Sequence, residues 1–335
     1  MIRLRLALPL LLLPATDLLA DSFERDDALK LPDVVISANR QVQARNDSSA
    51  ANTVFTRDDI DRLQPTSVTD LLSRVPGVQV SQAGGRGSLA SIYIRGTKSA
   101  QSLVLVDGQR IGNSTSGDSN LQHLNIQQIE RVEVLRGSRS VIYGSDAIGG
   151  VIQIFTRRSN ESGLQPRLHV GFGSNQTWGR SLGLSGGDEK TRFNLGASLD
   201  DTAGINRTYA SYPSDRDHDA YRNQSTSFSL SHAFNDDLEA GVNVLDNRGK
   251  SEFDNSFSPQ KPYSNFTVSS VSSYVDARIN DVWKSRLEAG HSENREETRD
   301  KLSTERSVFN TYRDSVNWQN DLTLNDQNRD RKSVV

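Results

Sequence analysis

At 335 residues the chain has room for two domains. Its formal net charge of −3, and the lack of any basic patch interleaved with aromatics, exclude nucleic acid as a partner. With no cysteine it holds no disulfide, thiolate nucleophile or cysteine-ligated metal.

The first element is a targeting segment. Arg3 and Arg5 precede an apolar run from Leu6 to Ala15, and Ala20 offers a small residue before Asp21. That pattern predicts a secretory signal over residues 1–20. A membrane helix needs roughly 20 apolar residues, and this run is about half that, with Pro9 and Pro14 inside it. The chain is therefore expected to leave the cytoplasm. Residues 21–30 are polar and aperiodic and read as a loose leader. Asp33 to Ala38 is β-prone, with Val34, Val35 and Ile36 in a row. It is either the first strand of the domain or an edge offered to a partner strand.

Helical content is expected over residues 54–75. Thr56 is placed to cap a turn through Asp58, Asp59 and Ile60. Ser67 with Asp70 fits a capping box, and Leu71, Leu72 and Val75 form an apolar stripe behind it. Pro76-Gly77 ends that helix. Three strand-like runs come next, Val78 to Ser81, Ser91 to Arg95 and Leu103 to Val106. Two Gly- and Ser-rich loops, Ala83 to Ser88 and Gly112 to Asn120, punctuate this stretch. Arg131 to Thr156 reads as strand, turn and strand, with glycines at 137, 144, 149 and 150 where backbones approach closely.

After Thr156 the texture changes to alternating apolar residues between polar turns. Leu168, Val170 and Phe172 share a face, as do Phe193, Leu195, Ala197 and Leu199, and Leu238, Ala240, Val242 and Val244. Eight such strands are counted as far as Leu322. A soluble β-sandwich shows the same period, so alternation alone leaves both architectures open. The export signal and the long Asp- and Asn-rich loops at 204–223 and 250–265 favour a membrane barrel. The 34% hydrophobic content suits one, because a barrel strand needs apolar residues only at alternate positions. No enzyme is expected: Gly85-x-Gly87 lacks the third glycine of a dinucleotide loop, and no Gly-Lys-Ser/Thr loop occurs.

The strings VVISANR, DIDRLQPTSVTDLLSRVPGVQV, SIYIRG, VLVDGQRI and RGSRSVIYGSDAIGGVIQI resemble the plug of TonB-dependent outer-membrane receptors, with the overall likeness nearest to vitamin B12 (cobalamin) transporters. The resemblance implies an α+β plug domain, residues 41–160, followed by part of a transmembrane antiparallel β-barrel, residues 161–329. About eight of an expected 22 strands are present. It implies a TonB box at Asp33, Val34, Val35, Ile36, Ser37 and Ala38, within a periplasmic leader, residues 21–40. The implied partners are TonB with ExbB and ExbD, and outer-membrane lipid. Cobalamin is the implied cargo, taken up across the outer membrane of a Gram-negative cell; a siderophore, haem or other metal chelate is the alternative. A non-transporting surface receptor or adhesin is the reading from another class.

By the same resemblance the ligand meets two plug apices. They comprise Gly84, Gly85, Arg86, Gly87, Ser88 and Leu89, and Asn113, Ser114, Ser116, Asp118 and Asn120. Plain turn chemistry would also account for these residues. Carboxylates in the outer loops are oxygen ligands of the kind Ca²⁺ takes. The set that best matches the cobalamin transporters' calcium site is Asp217, Asp219, Asp246 and Asp254; solvated loop acids are the alternative. The chain stops well short of a 22-stranded barrel, so a longer natural product is expected. The last six residues, DRKSVV at 330–335, resemble a translated sequencing adaptor and are expected to be foreign to it.

Overall fold

The computed structural model describes residues 34–35, 43–44, 51–159, 162–207, 217–254, 261–325 and 328–334. The expected signal, and Asp33 and Ile36 to Ala38 of the expected TonB box, lie outside the described residues. The two box residues that are described form a strand, β1 (Val34–Val35), paired antiparallel with β2 (Gln43–Ala44).

The plug begins with β3 (Ala51–Phe55) and α1 (Arg57–Leu63). Thr56 and Asp59 form a reciprocal capping box at the start of α1, and Gln64 closes it in the left-handed conformation. The second helix, α2 (Val68–Ser73), has only half of the box expected there. Ser67 accepts from the Asp70 amide, but the Asp70 carboxylate accepts from Thr66 N at 2.9 Å. Its apolar stripe is buried as expected, with Leu71, Leu72 and Val75 all in the plug core.

Next come β4 (Val78–Gln82), β5 (Ala90–Ile94), β6 (Ser102–Val106), β7 (Gln109–Arg110), β8 (Ile129–Arg136), α3 (Ser140–Tyr143) and β9 (Gly150–Thr156). Strands β4 and β5 pair by themselves. The other five form one sheet in the order β3-β8-β9-β6-β7, in which only β6 and β9 run parallel. Asp107 and Gly108, both at positive φ, make the tight turn between β6 and β7. Gly150 is needed where β9 starts: a Cβ there would lie 2.2 Å from the Leu135 carbonyl oxygen. Ile60, Val68, Ile94, Val106, Ile129, Val132, Val134, Ile152 and Ile154 fill the space between helices and sheet.

Beyond the plug lies a single antiparallel meander. Its strands are β10 (Gln165–Gly173), β11 (Thr177–Gly187), β12 (Thr191–Thr202), β13 (Tyr221–Asn235), β14 (Leu238–Glu252), β15 (Pro262–Arg278), β16 (Trp283–Asp300), β17 (Arg306–Asn325) and β18 (Asn328–Val334). That is nine strands where eight were expected, and the ninth includes most of residues 330–335. Among the described residues the sheet is open, with β10 and β18 at its edges. Strands β13 to β17 have 15 to 20 residues. About ten suffice to cross a bilayer.

The two faces of this sheet decide between the architectures that alternation left open. Phe172, Leu182 and Val316 are 84%, 65% and 62% exposed. Asn194 and Asn247, on the opposite face, are 0% exposed. A sandwich buries its apolar face. This sheet buries serine and asparagine against the plug and turns leucine, valine and phenylalanine outward, as strands facing lipid do.

Candidate functional site

Two plug loops reach the long-loop end of the sheet. The first, residues 83–89, is closed by Ala83 N donating to Leu89 O and Ser88 N to Gly85 O. Its tip is pressed onto the wall. The Ser251 hydroxyl donates to Gly87 O at 3.0 Å, and a Cβ on Gly87 would lie 1.9 Å from the Tyr221 ring. The Arg86 guanidinium donates to Asp200 Oδ2 at 2.8 Å, and Asn125 Nδ2 donates to the same oxygen. Of the six expected ligand positions in this loop, Gly87 is buried, Leu89 is exposed, and Gly84, Gly85, Arg86 and Ser88 are half-buried.

The second loop, residues 112–120, folds on itself through Asn113. Asn113 N donates to Asp118 O, and Asn113 Oδ1 accepts from Thr115 N. Two strands of the wall hold it. Arg313 donates to Gly112 O at 2.6 Å and to Ser114 Oγ at 3.0 Å, and Ser114 N donates to Thr311 Oγ1. Asn120, at positive φ, donates to Asn294 Oδ1 at 2.9 Å. Asn113 and Asn120 are thus buried anchors; Ser114 and Ser116 face solvent, and Asp118 is half-buried. Ser91 beside the first loop donates to Asp118 of the second at 3.4 Å, so the two apices adjoin. Arg110 lies near Arg313, and burial followed by that second positive charge depresses its pKa. The apices therefore present hydroxyls and backbone groups, their one cation, Arg86, being held by Asp200.

Between the loops sits a contact that the sequence did not announce. His123 is 3% exposed and stacks on Phe266, with centroids 3.5 Å apart and planes 5° from parallel. Tyr221 lies nearly parallel beside the pair, 6.0 Å from His123 and 5.9 Å from Phe266, and its hydroxyl donates to Gln122 O. Asn223 Nδ2 donates to His123 O at 2.8 Å. Burial lowers the His123 pKa to about 3, so the ring is neutral at neutral pH. In LQHLN the only hint was a histidine in apolar company.

At the other end of the plug, Asp107 ties the last plug strand to the chain entering the sheet. It accepts from Thr156 N at 3.1 Å, from Thr156 Oγ1 at 2.6 Å and from Arg158 at 3.2 Å. Gln109 donates to Glu288 of the wall, and Gln128 donates to Ser198. The plug is seated largely through such polar pairs.

Three of the four carboxylates expected to gather around calcium have different neighbours. Asp217 pairs with Lys261 at 3.0 Å, and Asp246 with Arg248 at 2.8 Å. Asp254 accepts from Arg207 N at 3.1 Å, while Asp219 N donates to Ile205 O. Asp246 also faces away from the plug, five residues down β14 from Ser251, or roughly 17 Å along the strand. Among the described residues no group of three or more acidic or histidine side chains is arranged to hold a metal ion.

Residues 44–151 match the family description TonB-dependent Receptor Plug Domain. The fold as a whole is shared with solved receptors. The alcaligin outer-membrane receptor of Bordetella pertussis is 15% identical, with a TM-score of 0.72 over 90% of this chain and 48% of that one. The ferric enterobactin receptor of Pseudomonas aeruginosa, solved as a mutant with enterobactin, is 17% identical, with a TM-score of 0.68 over 85% and 48%. The ferripyoverdine receptor of the same organism is 16% identical, with a TM-score of 0.64 over 87% and 41%. The chain spans about half the length of these receptors.

Proposed function

We propose that this chain is the plug and first barrel strands of a TonB-dependent receptor, which imports a metal chelate across the outer membrane. The observation that carries the reading is a matched plug domain seated on a sheet with its polar face inward and its apolar face outward. The plug apices would take the chelate from outside, with Leu89, Ser114 and Ser116 open to it. TonB, with ExbB and ExbD, would pull on the segment around Val34 and Val35. Small polar groups suit a large hydrogen-bonding ligand.

Receptors for ferric enterobactin, ferripyoverdine and alcaligin share this fold. That supports the chelate alternative of the sequence reading better than its cobalamin reading. Uptake by the full-length receptor, in cells lacking their own siderophore and cobalamin receptors, separates the two. Growth on a ferric siderophore under iron limitation is the expected result, lost in Val35→Pro while surface binding persists, because proline removes a donor from the pairing strand. Growth restored by cobalamin alone would return the cargo to the vitamin. Surface binding without any uptake would make the protein a receptor or adhesin that does not transport.

A further inference from the structure

Beneath the plug, at the end of the wall away from the apices, lies a cavity of about 1290 Å³. Pockets for drug-sized ligands hold roughly 300–1,000 Å³, so a metal chelate fits with water to spare. Its roof is the plug-sheet face opposite the main core, through Leu103, Leu105, Gln153 and Phe155, with Tyr143 beside them. Its side is the short-turn end of β14 to β17.

Many charges on this lining are already matched. Arg286 holds Asp276 at 2.7 Å and Glu288 at 3.5 Å, Arg278 holds Asp237 at 2.5 Å, and Arg158 holds Asp107 at 3.2 Å. The Tyr274 hydroxyl donates to Glu239. Over the whole lining nine carboxylates meet six cations, so the surplus is negative. Among the described residues, Asp236 and Asp281 of the short turns have no cation at ion-pair distance. Two polar atoms of the roof are also unmatched. Gln153 is 8% exposed, and among the described residues its Oε1 accepts no hydrogen bond; Arg158 Nε is buried and donates none. Such atoms keep their desolvation cost until something enters the cavity to meet them. An acceptor, a donor and the half-buried rings of Phe155 and Tyr143 suit an organic chelate better than water alone.

We propose that this cavity is an inner resting place for the cargo, on the far side of the plug from the apices, and that it selects a ferric chelate of neutral or positive charge. The inference rests on the chelate reading above and narrows it. Three hydroxamates cancel the charge of ferric iron, whereas three catecholates leave it triply negative. A lining with surplus carboxylates repels the second complex and admits the first. Amide or hydroxyl donors of the chelate meet Gln153 Oε1, and its oxygens meet Arg158 Nε.

The test uses the full-length receptor in detergent micelles, otherwise free of cysteine and spin-labelled singly at Lys284→Cys in the cavity or Ser116→Cys at the apex. High-spin ferric iron broadens a nearby nitroxide signal, and the gallium chelate is the silent control. Ferrichrome (neutral) or ferrioxamine B (cationic) should broaden the Lys284→Cys label saturably, at a concentration about tenfold below that needed by ferric enterobactin. Adding Asp236→Asn and Asp281→Asn, both in exposed turns, should narrow that gap and leave the apical label's response as it was. An apical label that responds beside a silent cavity label would overturn the inner site and spare the receptor reading. Ferric enterobactin acting on the cavity label as readily as the hydroxamates would overturn the charge selection, as would a gap unchanged in the double variant. Silence at both labels with every chelate would overturn the inner site together with the chelate reading.

Discussion

Replacing Gly87 by alanine should unseat the first plug loop. Two costs add. Gly87 has a φ of +81°, a conformation that costs a residue with a Cβ about 1 kcal/mol or more. The new methyl would also meet the Tyr221 ring at 1.9 Å, well inside contact distance. Tyr221 cannot easily step aside. It is 3% exposed, bonded to Gln122 O and set beside the His123–Phe266 pair, 6.0 and 5.9 Å from the two rings. Overpacking of this kind costs about 2 kcal/mol, for a total of about 3. Hydrogen exchange in the full-length receptor should show it as about hundredfold faster exchange for amides 84–89. Repeating the change in a Tyr221→Ser background removes the clash and leaves only the backbone strain, so alanine should then cost about 1 kcal/mol. An equal cost in both backgrounds would refute the steric argument. Unchanged exchange in the single variant would show that the loop is not seated on the wall at all.

His123 should make the seat weaken in acid. Its pKa is lowered from 6.5 to about 3 in the folded state, so the unfolded chain binds the proton first. Stability is whole above pH 6.5 and falls as pH drops towards 3, by about 2 kcal/mol at pH 5; His123→Phe should flatten that slope in a denaturation series, and an unaltered slope would exclude His123 as its source. Asp107→Ala should leave Thr156 N and Oγ1 without their acceptor and Arg158 without its acid, costing about 3 kcal/mol and opening the junction after Thr156 to protease. Wild-type protease resistance in that variant would remove Asp107 from the role of clamp. Leu182→Arg, on the outward face, should impair membrane insertion by about 2–4 kcal/mol, whereas Leu182→Phe should be tolerated; insertion unaffected by arginine would mean that this face does not meet lipid.

What the sequence disclosed was set by locality. Capping residues, β-turn glycines and alternating runs are local signals, and each led to an element in the right place. All eight expected strands formed, with Leu168, Leu182, Phe193, Phe228, Leu238, Val271, Trp283 and Val316 each on its own strand. Their lengths were not legible. The outer half of β16, SENREETRD, has no apolar alternation because water or polar plug atoms meet both of its faces. The ninth strand, NRDRKSV, has no apolar residue before Val334 and gave no signal. Pairings between distant segments were invisible too. Nothing local shows that β6 runs parallel to β9, or that β4 and β5 stand apart from the main plug sheet. The site fared likewise. The two apical loops were found by composition and resemblance. Their wall partners, Tyr221, Ser251, Asn294 and Arg313, lie from 134 to 201 residues away along the chain from the loop residues they hold. The acidic residues matched to a calcium site were read as a set by resemblance alone, and no local signal places Asp246 on the outward face of β14.

The polar seat of the plug has a thermal consequence. Exposing apolar surface raises heat capacity, and exposing polar surface lowers it. The wall meets the plug chiefly with Asn194, Ser198, Asn223, Ser225, Ser227 and Asn294, relieved by Leu245 and Val268, which join the plug core. Lifting the plug from such a wall wets both kinds of surface, and the two heat-capacity terms oppose each other. Melting the plug itself, with its isoleucine, leucine and valine interior, wets mostly one kind. A calorimeter would therefore see the second process clearly and the first hardly at all. The balance between a seated and a displaced plug should then shift little with temperature.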